Sequence, residues 1–376
     1  MKVILFFTYG ISLKDWEKSG LLSREIKFYE SLYKKYNIKF LFITYGDEND
    51  KNILVDKEFI QILPLYSIFK ENKNKYIKIL KSFLIPFRLS SEIKNANIIK
   101  TNQLYGAWMA IISKIIYRKP LLIRTGYDLL TFSKKNKKGY LKILFYTFLT
   151  KVSLKVCNLY LVTSKIDKIF LERLSDKYSD KLVIRPNWVE TKYNNTFEER
   201  YKNKIISVGR LEEQKNYKSL IKEMKDSNFE IEIYGEGDEK EDLIRIASEY
   251  NVKLNINKPI DNKLLLKELS KYRIFVSTSE FEGNPKAILE AMANGCVVIA
   301  KGNENIAEII QDNKNSILYD NKNSILDYLE NTISNKELWT NLSQEGIKYI
   351  KKNNSLEKSI EEEYQNYQKL NQSYTS

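Results

Sequence analysis

Arg273-Ile274-Phe275-Val276-Ser277-Thr278-Ser279-Glu280-Phe281-Glu282-Gly283-Asn284-Pro285-Lys286-Ala287-Ile288-Leu289-Glu290-Ala291-Met292-Ala293-Asn294-Gly295 is a strand, a loop and a helix in succession. Arg273 to Ser279 is short and apolar, which predicts a buried strand; Pro285 suits the first turn of a helix and Gly295 its end. Two carboxylates, Glu282 and Glu290, stand eight residues apart across this turn, one on the loop and one more than a turn into the helix. A loop before a helix offers unpaired backbone N–H groups and the positive end of the helix dipole, a setting suited to phosphate. A carboxylate at Glu290 could reach a neighbouring pair of hydroxyls on a bound nucleoside. Taken alone, such a pair of glutamates reads as solvated surface charge, and it is the sequence around them that shifts the reading.

Upstream, Ile205-Ile206-Ser207-Val208-Gly209-Arg210-Leu211-Glu212-Glu213-Gln214-Lys215-Asn216 is an apolar strand ending in Gly209 and followed by two cations five residues apart. Arg210 and Lys215 could clamp a diphosphate. The strand Phe229 to Tyr234 leads into Gly235-Glu236-Gly237-Asp238, whose glycines permit close backbone approach to a ligand. In this order the motifs resemble the donor-binding domain of glycosyltransferase family 4, retaining enzymes of the GT-B fold that use nucleotide-sugars. The resemblance is specific from about Lys204 to Asn315 and looser in the N-terminal half. It implies an α/β chain of two Rossmann-like doubly wound domains with the active site in the cleft between them. It also implies that Glu290 holds the ribose hydroxyls, that Glu282 lies by the donor sugar, and that Arg210 and Lys215 meet the diphosphate. The amides of Gly283, Asn284, Lys286 and Ala287 would line the loop that receives the sugar and distal phosphate, with Pro285 unable to donate. Gly209 would join the donor site, with Gly235 and Gly237 near the nucleoside.

The chain has 376 residues, enough for two cores of ordinary volume. Apolar strand-like runs at Lys2 to Tyr9, Ile38 to Tyr45, Ile98 to Asn102, Pro120 to Arg124 and Leu159 to Val162 alternate with amphipathic helices, which predicts parallel strands covered on both faces. The rhythm repeats at Ile205 to Val208, Phe229 to Tyr234, Val252 to Ile256, Arg273 to Ser279 and Cys296 to Ala300. The expected division is an acceptor domain over 1–185, a hinge over 186–203, a nucleotide-sugar domain over 204–354 and a final helix over 355–376. In the hinge, Asn187-Trp188-Val189-Glu190 resembles the family's Asn-Gly-Val-Asp, with Trp188 and Glu190 in place of glycine and aspartate. The family likeness implies that the final helix crosses back onto the first domain.

Charge is divided unevenly. Residues 1–200 carry 37 Lys and Arg against 19 Asp and Glu, whereas residues 201–376 carry 25 against 29, so the whole excess of +14 lies in the N-terminal half. There, Asn74 to Arg88 and Lys134 to Phe148 mix cations with large apolar residues. Each reads either as a segment lying on an anionic membrane leaflet or as an ordinary helix packing on the sheet. Lys142, Lys151 and Lys155 interrupt the longest apolar stretch short of a membrane span. The first apolar run is strand-length and has no basic leader, so no signal peptide is expected. Cys157 and Cys296 sit in apolar settings and read as buried thiols in a reducing compartment.

The chain has no histidine and no Asp-x-Asp, which excludes an imidazole base and removes the carboxylate pair that metal-dependent glycosyltransferases use. No metal or other cofactor is expected; Arg210, Lys215 and the helix start near Pro285 would meet the charge on the departing diphosphate. On the acceptor side, Gly20 is placed like the family's glycine loop after the first strand. In Arg124-Thr125-Gly126-Tyr127-Asp128, Tyr127-Asp128 takes the place of a frequent His-Asp. Arg124, Tyr127 and Asp128 are expected to face the acceptor; alternatively Gly126 makes a turn and Asp128 caps the next helix.

The expectation is a cytoplasmic, peripheral-membrane glycosyltransferase that moves a sugar from a UDP or GDP donor to a hydroxyl of a glycan or lipid-linked glycan, with retention and without metal. Two alternatives stay open. The same fold serves non-hydrolysing nucleotide-sugar 2-epimerases. A net charge of +14 could also mark a nucleic-acid-binding protein. The carboxylates of the Glu282–Glu290 loop argue against nucleic acid, because they repel phosphate backbones.

Overall fold

The structure, a computed structural model, describes residues 1–69, 74–126, 130, 133, 139–320 and 324–375. It divides into two compact units, Met1–Arg185 with Ile360–Ser376, and Pro186–Ser359.

The first unit is built on seven strands: β1 (Lys2–Phe6), β2 (Lys39–Thr44), β3 (Ile60–Pro64), β4 (Ile98–Thr101), β5 (Leu121–Arg124), β6 (Leu159–Val162) and β7 (Leu182–Ile184). They lie in the order β3-β2-β1-β4-β5-β6-β7 with every pair parallel, so the winding reverses between β1 and β4. Val3 stands opposite Phe40 of β2 and Ile98 of β4, and all of Val3, Ile4 and Leu5 are wholly buried. A central strand covered on both faces needs apolar residues at every position, and β1 has them. The strands expected from the sequence are present, but β1 stops at Phe6 rather than Tyr9. β3 and β7 had no sequence signal, because β3 is an edge strand with half-exposed residues and a terminal proline and β7 has three residues.

The second unit holds β8 (Tyr201–Val208), β9 (Glu230–Tyr234), β10 (Lys253–Asn257), β11 (Tyr272–Ser277), β12 (Val297–Lys301) and β13 (Ile317–Tyr319), in the order β10-β9-β8-β11-β12-β13 and again all parallel. The segment expected as a hinge packs onto this unit. Trp188 and Val189 are buried, and the buried Arg200 guanidinium donates to the carbonyl oxygens of Asn195, Tyr272 and Asn294 at 2.8–2.9 Å while lying over the Trp339 ring. A guanidinium fork that finds three carbonyls holds its backbone firmly, which an open linker would not.

The last helix, Leu356–Thr375, belongs to the first unit from Ile360 onward. Tyr364 stacks on Tyr36 with ring centroids 3.8 Å apart. Glu363 forms a wholly buried ion pair with Lys100 of β4, beside the rings of Phe28, Tyr29 and Tyr367, and Glu362 pairs with Arg185. Burial lowers the Lys100 ammonium below its ordinary value. Burial pushes the Glu363 carboxyl up, but the charges of Lys100 and Arg185 outweigh it and hold the group low.

Candidate functional site

β8 and β11 are neighbours in the second sheet, with Ile205 opposite Ile274 and Ile206 opposite Phe275, so the loops that follow them leave the sheet side by side. This register brings together two motifs that are far apart in sequence. The loops are stitched to one another: the Thr278 hydroxyl donates to the Lys215 carbonyl (2.8 Å), the Gln214 amide to the Phe281 carbonyl (2.8 Å), and the Glu280 N–H to the Gln214 carbonyl (3.0 Å). A short 3-10 turn, Glu213–Lys215, then turns Lys215 inward. Its ammonium meets Glu282 at 2.5 Å, with the two side chains 17% and 9% exposed.

Room for this pair comes from Gly209, where a Cβ would stand 2.9 Å from Lys215 Cε and from the Tyr217 hydroxyl. Tyr217 is buried beneath the pair, and burial, reinforced by the charge of Glu282, pushes its phenol pKa far up, so it stays a neutral hydroxyl. Lys215, Tyr217, Thr278, Glu282, Pro285 and Ala287 line a narrow cavity here.

The helix Lys286–Ala293 starts one residue later than the sequence suggests. Pro285 is its N-cap, extended at ψ 112°, and no side chain caps the first turn. The opening amides of a helix have no intrahelical acceptor, which is what suits a helix start to an anion. Gly283 and Asn284 are buried, and Lys286 and Ala287 are half-buried. Asn284 is tied down twice by Asn187, whose N–H donates to Asn284 Oδ1 (2.8 Å) and whose side-chain amide donates to the Asn284 carbonyl (2.6 Å). The Asn305 amide holds the Glu282 carbonyl at 2.6 Å. Glu290, the fifth residue of the helix, is 3% exposed and accepts from the Asn262 amide at 2.9 Å. Neither glutamate is a solvated surface charge.

Arg210 is placed differently from Lys215. Its guanidinium is 68% exposed, pairs with Glu212 at 2.8 Å, and does not join the Lys215–Glu282 contact. The glycines after β9 also have a role that the sequence did not reveal. A Cβ at Gly235 would stand 1.9 Å from the Gly209 carbonyl oxygen, and one at Gly237 would stand 2.4 Å from that of Leu211. Their close approach is to the neighbouring loop, which they hold in place. Gly235→Ala is expected to destabilise the fold by about 3 kcal/mol, the upper end of the usual overpacking cost, read as a lowered urea midpoint.

Gln214, Thr278, Asn187, Asn262 and Asn305 all position the site and were missed as site residues. Asn187 was visible as part of the Asn-x-Val-x hinge pattern; the others are single amides and hydroxyls with no motif around them.

In the first unit, Gly20 takes φ +70° in the turn between the helices Leu13–Lys18 and Leu22–Tyr36, a conformation that side-chain-bearing residues resist. Arg124 closes β5, and its charge adds to the burial that lowers Lys100 and Arg185. Tyr127 and Asp128 lie outside the described residues. Among the described residues, no group of three His, Cys, Asp or Glu side chains is gathered as metal ligands would be.

Residues 190–349 match the family model described as glycosyl transferases group 1. A Campylobacter jejuni alpha-1,4-N-acetyl-D-galactosaminyltransferase, named for a diNAcBac-PP-undecaprenol-linked substrate, is 24% identical over 54% of this chain and 55% of its own. An amylovoran biosynthesis glycosyltransferase of Erwinia amylovora is 26% identical over 39% of this chain and 42% of its own. The chain thus spans about half the length of these curated relatives. Among solved structures, sucrose-phosphate synthase of Thermosynechococcus elongatus superposes with a TM-score of 0.82 at 16% identity, over 98% of this chain and 99% of that one. Anabaena HepE in complex with UDP and glucose gives 0.76 at 12% identity, over 98% and 99%. The fold is that of the GT-B glycosyltransferases.

Proposed function

We propose, for a chain whose residues 190–349 match the glycosyl transferases group 1 family model, that it transfers a hexose-type sugar from a nucleoside-diphosphate donor, UDP- or GDP-linked, to a hydroxyl of a glycan or lipid-linked glycan precursor. The reaction retains the anomeric configuration and uses no metal, as in glycosyltransferase family 4. The observation that carries this reading is the Lys215–Glu282 pair beside an uncapped helix N-terminus, with Glu290 buried one turn inside the same helix.

Each group has a task. Lys215 and the opening amides of the helix Lys286–Ala293 stabilise the charge that grows on the departing diphosphate, and being already in place they need little reorganisation. Glu290, oriented by Asn262, accepts from the ribose hydroxyls. Glu282, held by Lys215 and by Asn305 through its carbonyl, faces the donor sugar. Arg210, exposed beside Glu212, reaches the distal phosphate by exchanging that partner for the donor. The first unit brings the acceptor. The substrate named for the Campylobacter relative and the biosynthesis named for the Erwinia relative support an acceptor in lipid-linked or polysaccharide assembly, and we assign the enzyme to the cytoplasmic face of the cell membrane.

Thermal unfolding of the purified chain with UDP, GDP, ADP or CMP, in the presence of chelator, tests the donor site. One diphosphate should stabilise selectively, by about 2.7 kcal/mol at a hundredfold excess over its Kd, and the effect should vanish in Glu290→Ala. If none of the four shifts the parent protein, the donor site as assigned is wrong. Chromatography of the products with the matching nucleotide-sugar then separates a transferred sugar from a 2-epimer.

A further inference from the structure

The segments Asn74 to Arg88 and Lys134 to Phe148 could be core-facing helices or surface-seeking ones, and the described parts of both turn large apolar side chains to solvent. Leu80 is 68% exposed, Leu84 54% and Phe87 57%; along the helix Tyr140–Val156, Leu141 is 79% exposed, Leu144 53% and Phe148 64%. That helix buries no residue before Leu149. Trp108 joins the two ridges: Phe83 stacks on it at 6.0 Å and 19°, and Phe145 meets it edge-on at 6.3 Å and 64°. Both ridges thus pack against one buried tryptophan and stand side by side, and their exposed residues are treated together as one face.

The stretch of sequence that carries both ridges is strongly basic, although Lys100 within it is buried against Glu363 and Lys134, Lys135, Lys137 and Lys138 lie outside the described residues. Residues 74–156 carry 17 Lys and Arg against 2 Asp and Glu, an excess of +15 within a chain whose total is +14. The centre of a protein–protein interface is typically depleted of charge, and lysine in particular is scarce there. A bilayer interface favours the combination found here, with apolar groups at the acyl boundary and cations among anionic headgroups. Among the described residues no helix is long and apolar enough to cross a membrane.

We propose that this face docks onto an anionic lipid leaflet. Leu80, Leu84, Phe87, Leu141, Leu144 and Phe148 enter the boundary between headgroups and acyl chains, and cations such as Lys142 and Lys151 meet lipid phosphates. The surface deepens the lipid-linked acceptor reading and rests on it only for its purpose: an enzyme held at headgroup depth meets a substrate whose sugar end protrudes there.

Co-sedimentation of the full chain with phosphatidylcholine vesicles, with and without phosphatidylglycerol, tests the surface without any sugar turnover. Its failure would leave the donor-site assay standing, and the reverse also holds. The parent should pellet with the anionic vesicles and stay in solution with phosphatidylcholine alone, with each headgroup-facing lysine contributing roughly fivefold to partitioning at low salt. Leu80→Asp, Leu141→Asp and Phe148→Asp, all at exposed positions, should each lower partitioning on the order of tenfold while leaving the thermal midpoint unchanged. Parent protein remaining in the supernatant with anionic vesicles overturns the proposal. So does pelleting that salt abolishes but the aspartate substitutions leave intact, since that would be charge adhesion without insertion. A soluble dimer, seen by light scattering and dissolved by the same substitutions, would assign the face to a second copy instead.

Discussion

Lys215→Ala is expected to slow sugar transfer about a hundredfold to a thousandfold in kcat, the usual effect of removing one preorganised group that meets transition-state charge. Two effects act in the same direction. The ammonium that meets the growing diphosphate charge is gone, and Glu282, 9% exposed and paired with Lys215 in the parent, is left as a carboxylate facing an anionic donor. Glu282→Gln added to Lys215→Ala should therefore recover part of the donor affinity but little of the rate, because neutralising the carboxylate removes repulsion without restoring the cation. Steady-state kinetics at saturating donor separates the two. A kcat within threefold of the parent would make Lys215 a structural partner of Glu282 and remove it from the mechanism. Arg210→Ala should cost far less, because that side chain is mostly in water.

Glu363→Ala is expected to destabilise the first unit by about 3–5 kcal/mol, the cost of breaking a buried ion pair from one side. Lys100 is left wholly buried among Phe28, Tyr29 and Tyr367 without its counter-ion. Lys100→Met combined with Glu363→Leu should restore most of the loss, since two apolar groups of similar volume replace the pair. Urea denaturation of the three proteins decides it; if the double variant is as unstable as the single one, the loss comes from packing of the helix rather than from charge. The pH dependence has a definite sign. The folded Glu363 carboxyl lies below its ordinary value, so its contribution is complete above about pH 4.3 and is lost as pH falls through the folded value. The gap between parent and Glu363→Ala should narrow in acid.

The architecture was legible because a doubly wound sheet requires long apolar runs, and β1, β2, β8 and β11 have them. Short edge strands make no such demand, so β3, β7 and β13 passed unnoticed. At the site, the carboxylate pair and Lys215 could be read from their spacing, but the same spacing argument placed Arg210 beside Lys215. What separates them is local geometry: the 3-10 turn at Glu213–Lys215 points one cation inward, while the other follows Gly209 into solvent. Gly235 and Gly237 show a related ambiguity. A glycine signals that something comes close, but sequence does not say whether that is a ligand or, as here, the Gly209 and Leu211 carbonyls. The two apolar basic segments were undecided for a plain reason. Tyr140 to Phe148 has only Lys142 and Thr147 among large apolar residues, so periodicity names no buried face.

The Lys100–Glu363 pair also sets an order of events during synthesis. Everything else in the first unit is made by Arg185, but its last helix follows only after the whole of Pro186–Ser359. At about 5–20 residues per second, Lys100 waits on the order of tens of seconds for its counter-ion. The nascent sheet meanwhile holds an unneutralised lysine and an uncovered aromatic flank, a species for chaperones to shield. The intervening unit shortens the last search, because its ends are fastened together: the Asn354 amide donates to the Asn187 carbonyl at 2.8 Å, and the Val189 N–H to the Asn354 carbonyl at 2.9 Å. Once that unit has folded, the final helix emerges close to where the first unit's chain left off, and ribosome-bound chains ending before Glu363 should be far more protease-sensitive in residues 1–185 than the released protein.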